Sequence, residues 1–254
     1  MKVLRFMTRE GGPLTGWLQD GQIGLLEGNL FEGYQRMDPM IPLERVQLLP
    51  PVLPGKIICV GRNYPEHAKE MSVEIPKIPI LFLKPPSAVI GSGQPIEMPP
   101  QSTQVEYEGE LAVVIGKSAR HIQPDAARRI IFGYTIANDV TARDLQRSDG
   151  QWTRAKSFDT FCPLGPWIET DIDPYDVLLT THLNGQLRQM TSTRDMVFPV
   201  FQLISFITSV MTLEAGDVIL TGTPAGVGPV SAGDVVKVTI EGIGELISPV
   251  IAGK

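Results

Sequence analysis

The segment spanning residues 105–115 constrains the fold of this 254-residue chain more than any other segment does. Its second half is continuously apolar, as in a strand that is buried on both faces. Its first half carries Glu106, Glu108 and Glu110 at every second position. Because side chains alternate along a strand, these carboxylates are predicted to share one face, with neighbouring Cα atoms about 6.5–7 Å apart. Like charges at that spacing repel one another on entering a buried strand unless something neutralises them.

Two interpretations of this acidic strand are possible. A bound divalent cation would neutralise the glutamates, and ligation by oxygen alone favours Mg²⁺, Mn²⁺ or Ca²⁺ over zinc. Alternatively, the segment is a solvated edge strand that happens to be acidic. A second acidic position favours the metal, because another apolar run ends abruptly at Asn138 and Asp139, and functional side chains often lie where an element ends. Locally, Asp139 is also compatible with the N-cap of a following helix.

A candidate catalytic pair lies on a predicted helix over residues 65–71. Pro65 suits the first turn of a helix, and His67 and Glu70, three positions apart, are then neighbours on its surface. A carboxylate beside an imidazole orients the ring and increases its basicity, which suits a general base that activates water. The alternative is a surface histidine on a charged helix.

Two further segments suggest ligand contacts. Lys156 lies between Trp152 and an apolar run at 161–163, where it would either hold an anionic substrate or extend to the surface along its apolar stem. The segment 221–228 contains three glycines after a predicted strand, which allow the backbone to approach a ligand closely. It lacks the GK[ST] element of a phosphate-binding loop.

The composition excludes several classes of protein. With 43% hydrophobic and 20% charged residues, the chain is typical of a globular protein. A net charge of −6 without a cluster of lysines and arginines argues against nucleic-acid binding. No apolar stretch reaches the roughly 20 residues of a membrane span, and 196–213 is predicted to be a buried helix. Cys59 and Cys162 are expected to be buried free thiols, and with no signal peptide visible we expect a cytoplasmic protein.

The pattern of elements predicts an α+β protein that is mainly β. Residues 1–52 are predicted to form a small N-terminal β unit, with a hairpin turn at Asp20-Gly21, and residues 53–254 the main domain. A segment rich in proline at 48–55 marks the boundary. Regular βαβα alternation is missing, so a doubly wound sheet is not predicted. Strands are predicted at 56–60, 80–83, 106–115, 131–137, 177–183, 217–220, 235–240 and 245–250, and helices at 65–71, 125–130 and 197–211.

Six short motifs in order along the chain resemble the fumarylacetoacetate hydrolase family. They are CVGRNY at 59–64 followed by His67, FLKP at 82–85, EGEL at 108–111, NDVTARD at 138–144, AKSF at 155–158 and LTGTP at 220–224. The short N-terminal region is similar to that of the single-module branch, which includes acylpyruvate hydrolases, oxaloacetate decarboxylases and isomerases of aromatic catabolism. The resemblance implies a mixed β-sandwich roll and a homodimer.

The resemblance also implies roles for individual residues. A divalent metal, usually Mg²⁺, would be held by Glu108, Glu110 and Asp139, with Glu106 as a flanking acid. His67 and Glu70 would form the catalytic dyad on a segment that orders into a lid when substrate binds, with Lys156 beside them. The implied substrate contacts are Arg62, Lys84, Ser87, Arg143 and Thr223.

The implied substrate is a small 2-oxo acid or β-dicarbonyl compound. Such a molecule can chelate Mg²⁺ through two oxygens, and the metal would stabilise the enolate that forms when the bond beyond C3 breaks. The first expectation is therefore an Mg²⁺-dependent hydrolase or lyase that hydrolyses acylpyruvates or decarboxylates oxaloacetate. The alternative is an isomerase or tautomerase acting on a related dienol diacid, such as 2-hydroxyhepta-2,4-diene-1,7-dioate, without C–C cleavage.

Overall fold

The computed structural model describes residues 1–9 and 11–253, and most of its regular structure is β-strand. The strands are β1 (Lys2–Met7), β2 (Leu14–Gln19), β3 (Gln22–Asn29), β4 (Gly33–Arg36), β5 (Ile41–Pro42), β6 (Gln47–Leu49), β7 (Ile57–Gly61), β8 (Ile80–Lys84), β9 (Val89–Ile90), β10 (Ile96–Met98), β11 (Val105–Tyr107), β12 (Gly109–Ile115), β13 (Ile131–Asn138), β14 (Thr141–Ala142), β15 (Cys162–Glu169), β16 (Leu178–Leu183), β17 (Gln186–Ser192), β18 (Val218–Leu220), β19 (Gly228–Pro229), β20 (Val235–Ile240) and β21 (Gly244–Ala252). The α-helices are α1 (Pro65–Glu70), α2 (Arg143–Asp149), α3 (Thr153–Lys156) and α4 (Val200–Val210). Short 3₁₀ helices lie at Leu43–Arg45, Pro86–Ala88, Pro124–Ile130 and Thr193–Asp195. The prediction of a mainly β, α+β chain is confirmed.

Two sheets pack face to face. The larger runs in the order β4-β3-β2-β1-β15-β13-β12-β18-β7-β8, and the smaller in the order β10-β21-β20-β16-β17. Both are mixed, since β7 is parallel to β18 and β10 to β21. One core cluster joins Leu111 and Ile136 of the larger sheet to Val238 and Leu246 of the smaller, with Leu203 of α4 in the same cluster. The sheets therefore share their main core, as in a sandwich.

The N-terminal strands extend the larger sheet. β1 pairs antiparallel with β15, so the hairpin β2–β3 and strand β4 continue the hydrogen bonding of the main domain. The predicted turn at Asp20-Gly21 joins β2 to β3. The division at residue 52 remains a prediction.

The acidic segment forms two strands, and the prediction of one continuous strand over 106–115 is wrong. β11 ends at Tyr107 and β12 begins at Gly109. At Glu108, between them, the backbone N–H donates to Oδ1 of Asn138 at 2.9 Å and the carbonyl accepts from the N–H of Asp139 at 2.8 Å. β11 then pairs with β14 and β19 in a separate small sheet. β12 is buried at every position, as predicted.

Other elements differ from the sequence prediction for identifiable reasons. Strand β15 was missed because Pro163, Gly165 and Pro166 read as turn residues. Strand β17 was missed because it is an edge strand with mainly polar, exposed residues. The element at 125–130 is a 3₁₀ helix, not an α-helix. The predicted buried helix is α4, which begins after Pro199, a residue that suits a helix start.

The structure also shows the state of the two cysteines and the length of the helices. Cys59 and Cys162 are buried and form no disulfide. In the described part of the chain, every helix is too short or too polar to cross a bilayer.

Candidate metal centre and active site

Three carboxylates from two neighbouring strands converge in the interior. Glu108 directly precedes β12, Glu110 is the second residue of β12, and Asp139 follows the last residue of β13. β12 and β13 are antiparallel, with Gly109 opposite Asn138, so the beginning of one strand meets the end of the other. One oxygen of each carboxylate lies within 4.8 Å of the others, and all three side chains are buried. The structure thus brings together the three residues predicted as metal ligands.

Two buried lysines contact this group. Lys156 Nζ donates to Glu108 Oε2 at 2.8 Å and to Asp139 Oδ2 at 2.6 Å. Lys84 Nζ donates to Asp139 Oδ1 at 2.6 Å and to the carbonyl of Val140 at 3.2 Å. Both lysine side chains are almost completely buried. Lys84 therefore binds Asp139 but does not line the cavity described below.

A buried arginine links two of the glutamates. Arg143 Nη2 donates to Glu108 Oε1 at 2.5 Å, and its Nε donates to Glu106 Oε2 at 2.6 Å. Glu106 also accepts a bond of 2.6 Å from the side-chain amide of Gln104. Glu106 is thus the partner of Arg143 and is not one of the three converging carboxylates.

Glu110 is the carboxylate that lacks a cation. Its side chain accepts a 2.6 Å bond from the backbone N–H of Gly222, and no ion pair involves it among the residues that the structure describes. Burial, and then the carboxylates of Asp139 and Glu108, raise the pKa of Glu110 well above its ordinary value. At Glu108, burial acts in the same direction, but Lys156 and Arg143 hold its pKa below the ordinary value.

The charge balance and the donor set fit a divalent cation. Within the described residues, four buried carboxylates face three buried cations in this cluster; the members are Glu106, Glu108, Glu110 and Asp139 against Lys84, Lys156 and Arg143. Glu110 is the carboxylate left without a cationic partner, and all donors are oxygens, which hard cations such as Mg²⁺, Mn²⁺ and Ca²⁺ prefer. The three carboxylates can therefore hold a divalent metal, whose identity remains a proposal.

A cavity of about 270 Å³ opens in front of the carboxylates. It is small for a ligand pocket, since drug-sized ligands occupy roughly 300–1,000 Å³. Its lining combines the acidic group with predicted catalytic residues, cations and apolar side chains, which are Val60, Gly61, Arg62, His67, Met71, Val73, Phe82, Glu108, Glu110, Asp139, Arg143, Gln146, Arg147, Trp152, Lys156 and Thr223.

The predicted dyad lies over this cavity. His67 and Glu70 are on α1, and Nδ1 of His67 lies 3.1 Å from Oε2 of Glu70. His67 is only 6% exposed, which argues against a solvated surface histidine. The other carboxylate oxygen, Oε1 of Glu70, accepts a 2.9 Å bond from the backbone N–H of Gly226. Glu70 therefore fixes the imidazole and joins α1 to the glycine-containing segment 221–228.

A polar residue that the sequence did not reveal organises this segment. The Gln189 side chain is fully buried, accepts from the N–H of Gly109 at 3.0 Å and donates to Thr223 Oγ1 at 2.8 Å and to the carbonyl of Pro224 at 2.9 Å. Thr223 Oγ1 in turn donates to the carbonyl of Gly109 at 2.9 Å. Gln189 is 80 residues from Gly109 in sequence, so no local pattern connects them.

The remaining predicted substrate contacts differ in position. Arg62, Arg143 and Thr223 line the cavity. Ser87 lies on the 3₁₀ helix Pro86–Ala88, is exposed, and is outside the cavity lining. The structure does not bring Ser87 to the site.

We expect Mg²⁺ binding to release a proton and to weaken as the pH falls. Because the pKa of Glu110 is raised, its carboxyl group keeps a proton to a higher pH than an ordinary glutamate, whereas a metal ligand must be deprotonated. The apparent affinity should fall by up to about tenfold per pH unit below that pKa. Titration calorimetry in buffers of different protonation enthalpy measures both effects. An affinity independent of pH, with no proton release, would contradict this prediction.

Comparison with known families gives two matches along the chain. Residues 56–251 match the model described as fumarylacetoacetate (FAA) hydrolase C-terminal. Residues 1–51 match the model described as Rv2993c-like, N-terminal.

Similar proteins carry several related activities in their names. A mitochondrial oxaloacetate tautomerase of Rattus norvegicus, Fahd2a, is 43% identical, over 84% of this chain and 72% of that protein. The structure of 5-carboxymethyl-2-hydroxymuconate delta-isomerase from Mycobacterium smegmatis is 45% identical with a TM-score of 0.92, over 99% of this chain and 100% of that one. Maleylpyruvate hydrolase from Sphingobium sp. SYK-6, solved with manganese(II) and pyruvate, is 30% identical with a TM-score of 0.83, over 100% of both chains.

Proposed function

The chain belongs to the fumarylacetoacetate hydrolase family, and we propose that it is a divalent-metal-dependent enzyme that moves a proton at C3, the carbon beside the oxo group of a small 2-oxo acid. The observation that carries this proposal is the position of His67. Its buried imidazole, held by Glu70, lines the same small cavity as the carboxylates of Glu108, Glu110 and Asp139. A base and an acidic ligand set in one cavity are what enolisation of a 2-oxo acid requires.

Each residue of the site has a part in that reaction. A divalent cation, proposed to be Mg²⁺, would be held by the three carboxylates and would supply positive charge that acidifies the C3–H bond of a 2-oxo acid. When the Nδ1–H of His67 donates a hydrogen bond to Glu70, Nε2 carries a free lone pair that can accept the proton from C3 and return it. Lys156 lines the cavity. Burial alone would lower its pKa, but Asp139 and Glu108 raise it, so the ammonium stays charged and can stabilise the developing oxyanion.

The named activities of two relatives support proton transfer as the reaction. A tautomerase and an isomerase, 43% and 45% identical to this chain, both conserve the mass of the substrate. This ordering reverses the expectation from sequence, which put C–C hydrolysis or decarboxylation first.

C–C cleavage is the second candidate. The same dyad can activate a water molecule for attack on a distal carbonyl, and maleylpyruvate hydrolase shares the fold over its whole length. Because that hydrolase is only 30% identical to this chain, we rank C–C cleavage second.

A substrate panel with Mg²⁺ separates the two candidates. We expect the enzyme to accelerate keto–enol interconversion of oxaloacetate, or isomerisation of a hydroxymuconate-type diacid, with the mass of the product unchanged by mass spectrometry. Cleavage of acetylpyruvate or fumarylpyruvate to pyruvate, or release of CO₂ from oxaloacetate, at a higher kcat/KM would establish the second candidate instead. Heat-denatured protein with the same Mg²⁺ corrects for spontaneous enolisation. No acceleration with any of these substrates would overturn both candidates.

Three further properties stay proposals. They are a homodimeric state, a cytoplasmic location and a role in aromatic catabolism.

A further inference from the structure

One residue of the segment 221–228, Gly226, contacts the dyad. Its backbone N–H donates to Glu70 Oε1 at 2.9 Å, and the other oxygen of that carboxylate lies 3.1 Å from Nδ1 of His67. Helix α1 spans six residues, and a helix this short is not stable without contacts to the rest of the protein. The Glu70 side chain is also 33% exposed, so water competes for its oxygens. The orientation of the imidazole therefore depends on how firmly Gly226 is held.

Strand β17 holds Gly226 by close packing. The φ of Gly226 is 99°, in the left-handed region, and a Cβ atom at this position would overlap the carbonyl oxygen of Arg188. Only glycine fits there, so the backbone of Gly226 lies directly against that of β17. The next residue of β17, Gln189, is buried and donates to Thr223 Oγ1 and to the carbonyl of Pro224. These contacts fix the chain that leads into Gly226.

A tyrosine hydroxyl holds the carbonyl of Gly226. The Tyr107 hydroxyl donates to this oxygen at 3.0 Å, and Tyr107 is buried in the core. Strand β11 ends at Tyr107 and pairs with β19, so that Tyr107 lies opposite Gly228. The residue after Tyr107 is Glu108, a candidate metal ligand. The hydroxyl therefore connects the strand that leads into the metal centre with the residue that binds Glu70.

We propose that Tyr107 is a positioning residue for the dyad: its hydroxyl fixes the backbone of Gly226, and through it the carboxylate of Glu70. The imidazole of His67 is thereby kept at a constant position relative to the metal centre. This inference rests on the proposed function, because it takes His67 as the base. A displacement of about 1 Å in a reacting group can lower the rate about 10²-fold. An anchor on the strand next to Glu108 keeps the base and the ligand set in one geometry.

Tyr107→Phe tests the inference, because it removes the hydroxyl and keeps the ring that packs in the core. Loss of one hydrogen bond should lower kcat for exchange of the C3 hydrogens of oxaloacetate by about 2–10-fold and should raise KM, as a weaker anchor of α1 would. Mg²⁺ affinity, measured by calorimetry, should be unchanged, since all three candidate ligands remain. Unchanged kcat and KM, or a loss of activity that follows weaker Mg²⁺ binding, would overturn the proposal.

A double-mutant cycle shows whether the hydroxyl acts through Glu70. In the Glu70→Ala background the carboxylate that binds Gly226 is already missing, so Tyr107→Phe should have no further effect on kcat or KM. A loss of the same size in both backgrounds would mean that Tyr107 acts elsewhere, and would overturn the proposal. Tyr134→Phe is the matched control. It removes the hydroxyl of another buried tyrosine, which lies outside the cavity lining and accepts from Arg128, and it should leave both parameters unchanged.

Amide hydrogen exchange distinguishes failure of this inference from failure of the proposed function, because it requires neither substrate nor metal. In Tyr107→Phe we expect the amide of Gly226 and those of residues 65–71 to exchange about 2–10-fold faster, since α1 opens more easily. Tyr134→Phe should change neither segment. This result would support the positioning role even if wild type turned over no substrate of the panel. Unchanged exchange in both segments, or faster exchange spread evenly over the chain, would overturn it.

Discussion

Glu110→Gln is expected to reduce Mg²⁺-dependent turnover by about 10³-fold or more, while the metal-free protein stays at least as stable as wild type. The loss of activity follows because one anionic ligand of three is removed from a metal whose charge stabilisation is worth several kcal/mol. Stability should not fall, because no cation forms an ion pair with Glu110 among the described residues. Its partner is the backbone N–H of Gly222, to which an amide oxygen can also accept a hydrogen bond.

The sign of the stability effect follows from the pKa of Glu110. That pKa is raised in the folded protein, chiefly by burial. At any pH above the pKa that Glu110 has in the unfolded chain, burial of this carboxyl group therefore lowers the free energy of unfolding. The loss grows with pH until the pKa of Glu110 in the folded protein is reached. Glutamine carries no charge and removes this cost, so at neutral pH in excess EDTA the variant should melt at the wild-type temperature or above it.

Asp139→Asn is the matched comparison. Asp139 is also a candidate ligand, but it neutralises two buried lysines, Lys84 and Lys156. Removing one partner of a buried ion pair costs about 3–5 kcal/mol, which corresponds to a melting temperature about 6–20 °C lower in a protein of this size. Asp139→Asn should thus lose both activity and stability, whereas Glu110→Gln loses activity alone. Calorimetry in EDTA and in Mg²⁺, with turnover assays on the same samples, tests the contrast. Full turnover in either variant, or in wild type with excess EDTA, would contradict the metal assignment.

The residues that were predictable from sequence are those whose neighbours are close along the chain. Alternation along a strand put Glu106, Glu108 and Glu110 on one face, and helical spacing identified His67 and Glu70. The resemblance to the family then selected Glu108 and Glu110 as candidate ligands. In the structure Glu108, Glu110 and His67 line one cavity, and Glu70 lies 3.1 Å from the imidazole of His67. Local sequence alone did not distinguish a metal site from an acidic edge strand. That choice depends on whether Asp139, which follows β13, lies next to Glu108 and Glu110 in the fold.

The ion pairs between these carboxylates and the buried cations could not be predicted, for the same reason. Lys84 lies 55 residues from Asp139, and Arg143 lies 35 and 37 residues from Glu108 and Glu106. Their pairing follows from strand order, which no local pattern encodes. The break at Glu108 was equally hidden, since it arises from a hydrogen bond with Asn138, 30 residues away.

His67→Ala is expected to lower kcat by about 10²–10⁴-fold, the usual contribution of a positioned general base. The imidazole lines the cavity, and His67 is not one of the three candidate metal ligands, so Mg²⁺ binding should persist. The direct measurement is exchange of the C3 hydrogens of oxaloacetate with solvent deuterium, followed by NMR. This reports the proton transfer itself, whether or not a later step limits turnover.

Variants of Glu70 divide its contribution into two parts. Glu70→Gln keeps an amide oxygen that can accept from the N–H of Gly226 but removes the charge beside His67. We expect it mainly to lower kcat, by less than His67→Ala does, because the imidazole remains. Glu70→Ala also removes the bond to Gly226 that holds α1 over the cavity, so KM should rise as well. If His67→Ala kept wild-type turnover and wild-type C3 exchange, the base would have to be another group of the cavity, and the dyad would serve only to anchor α1.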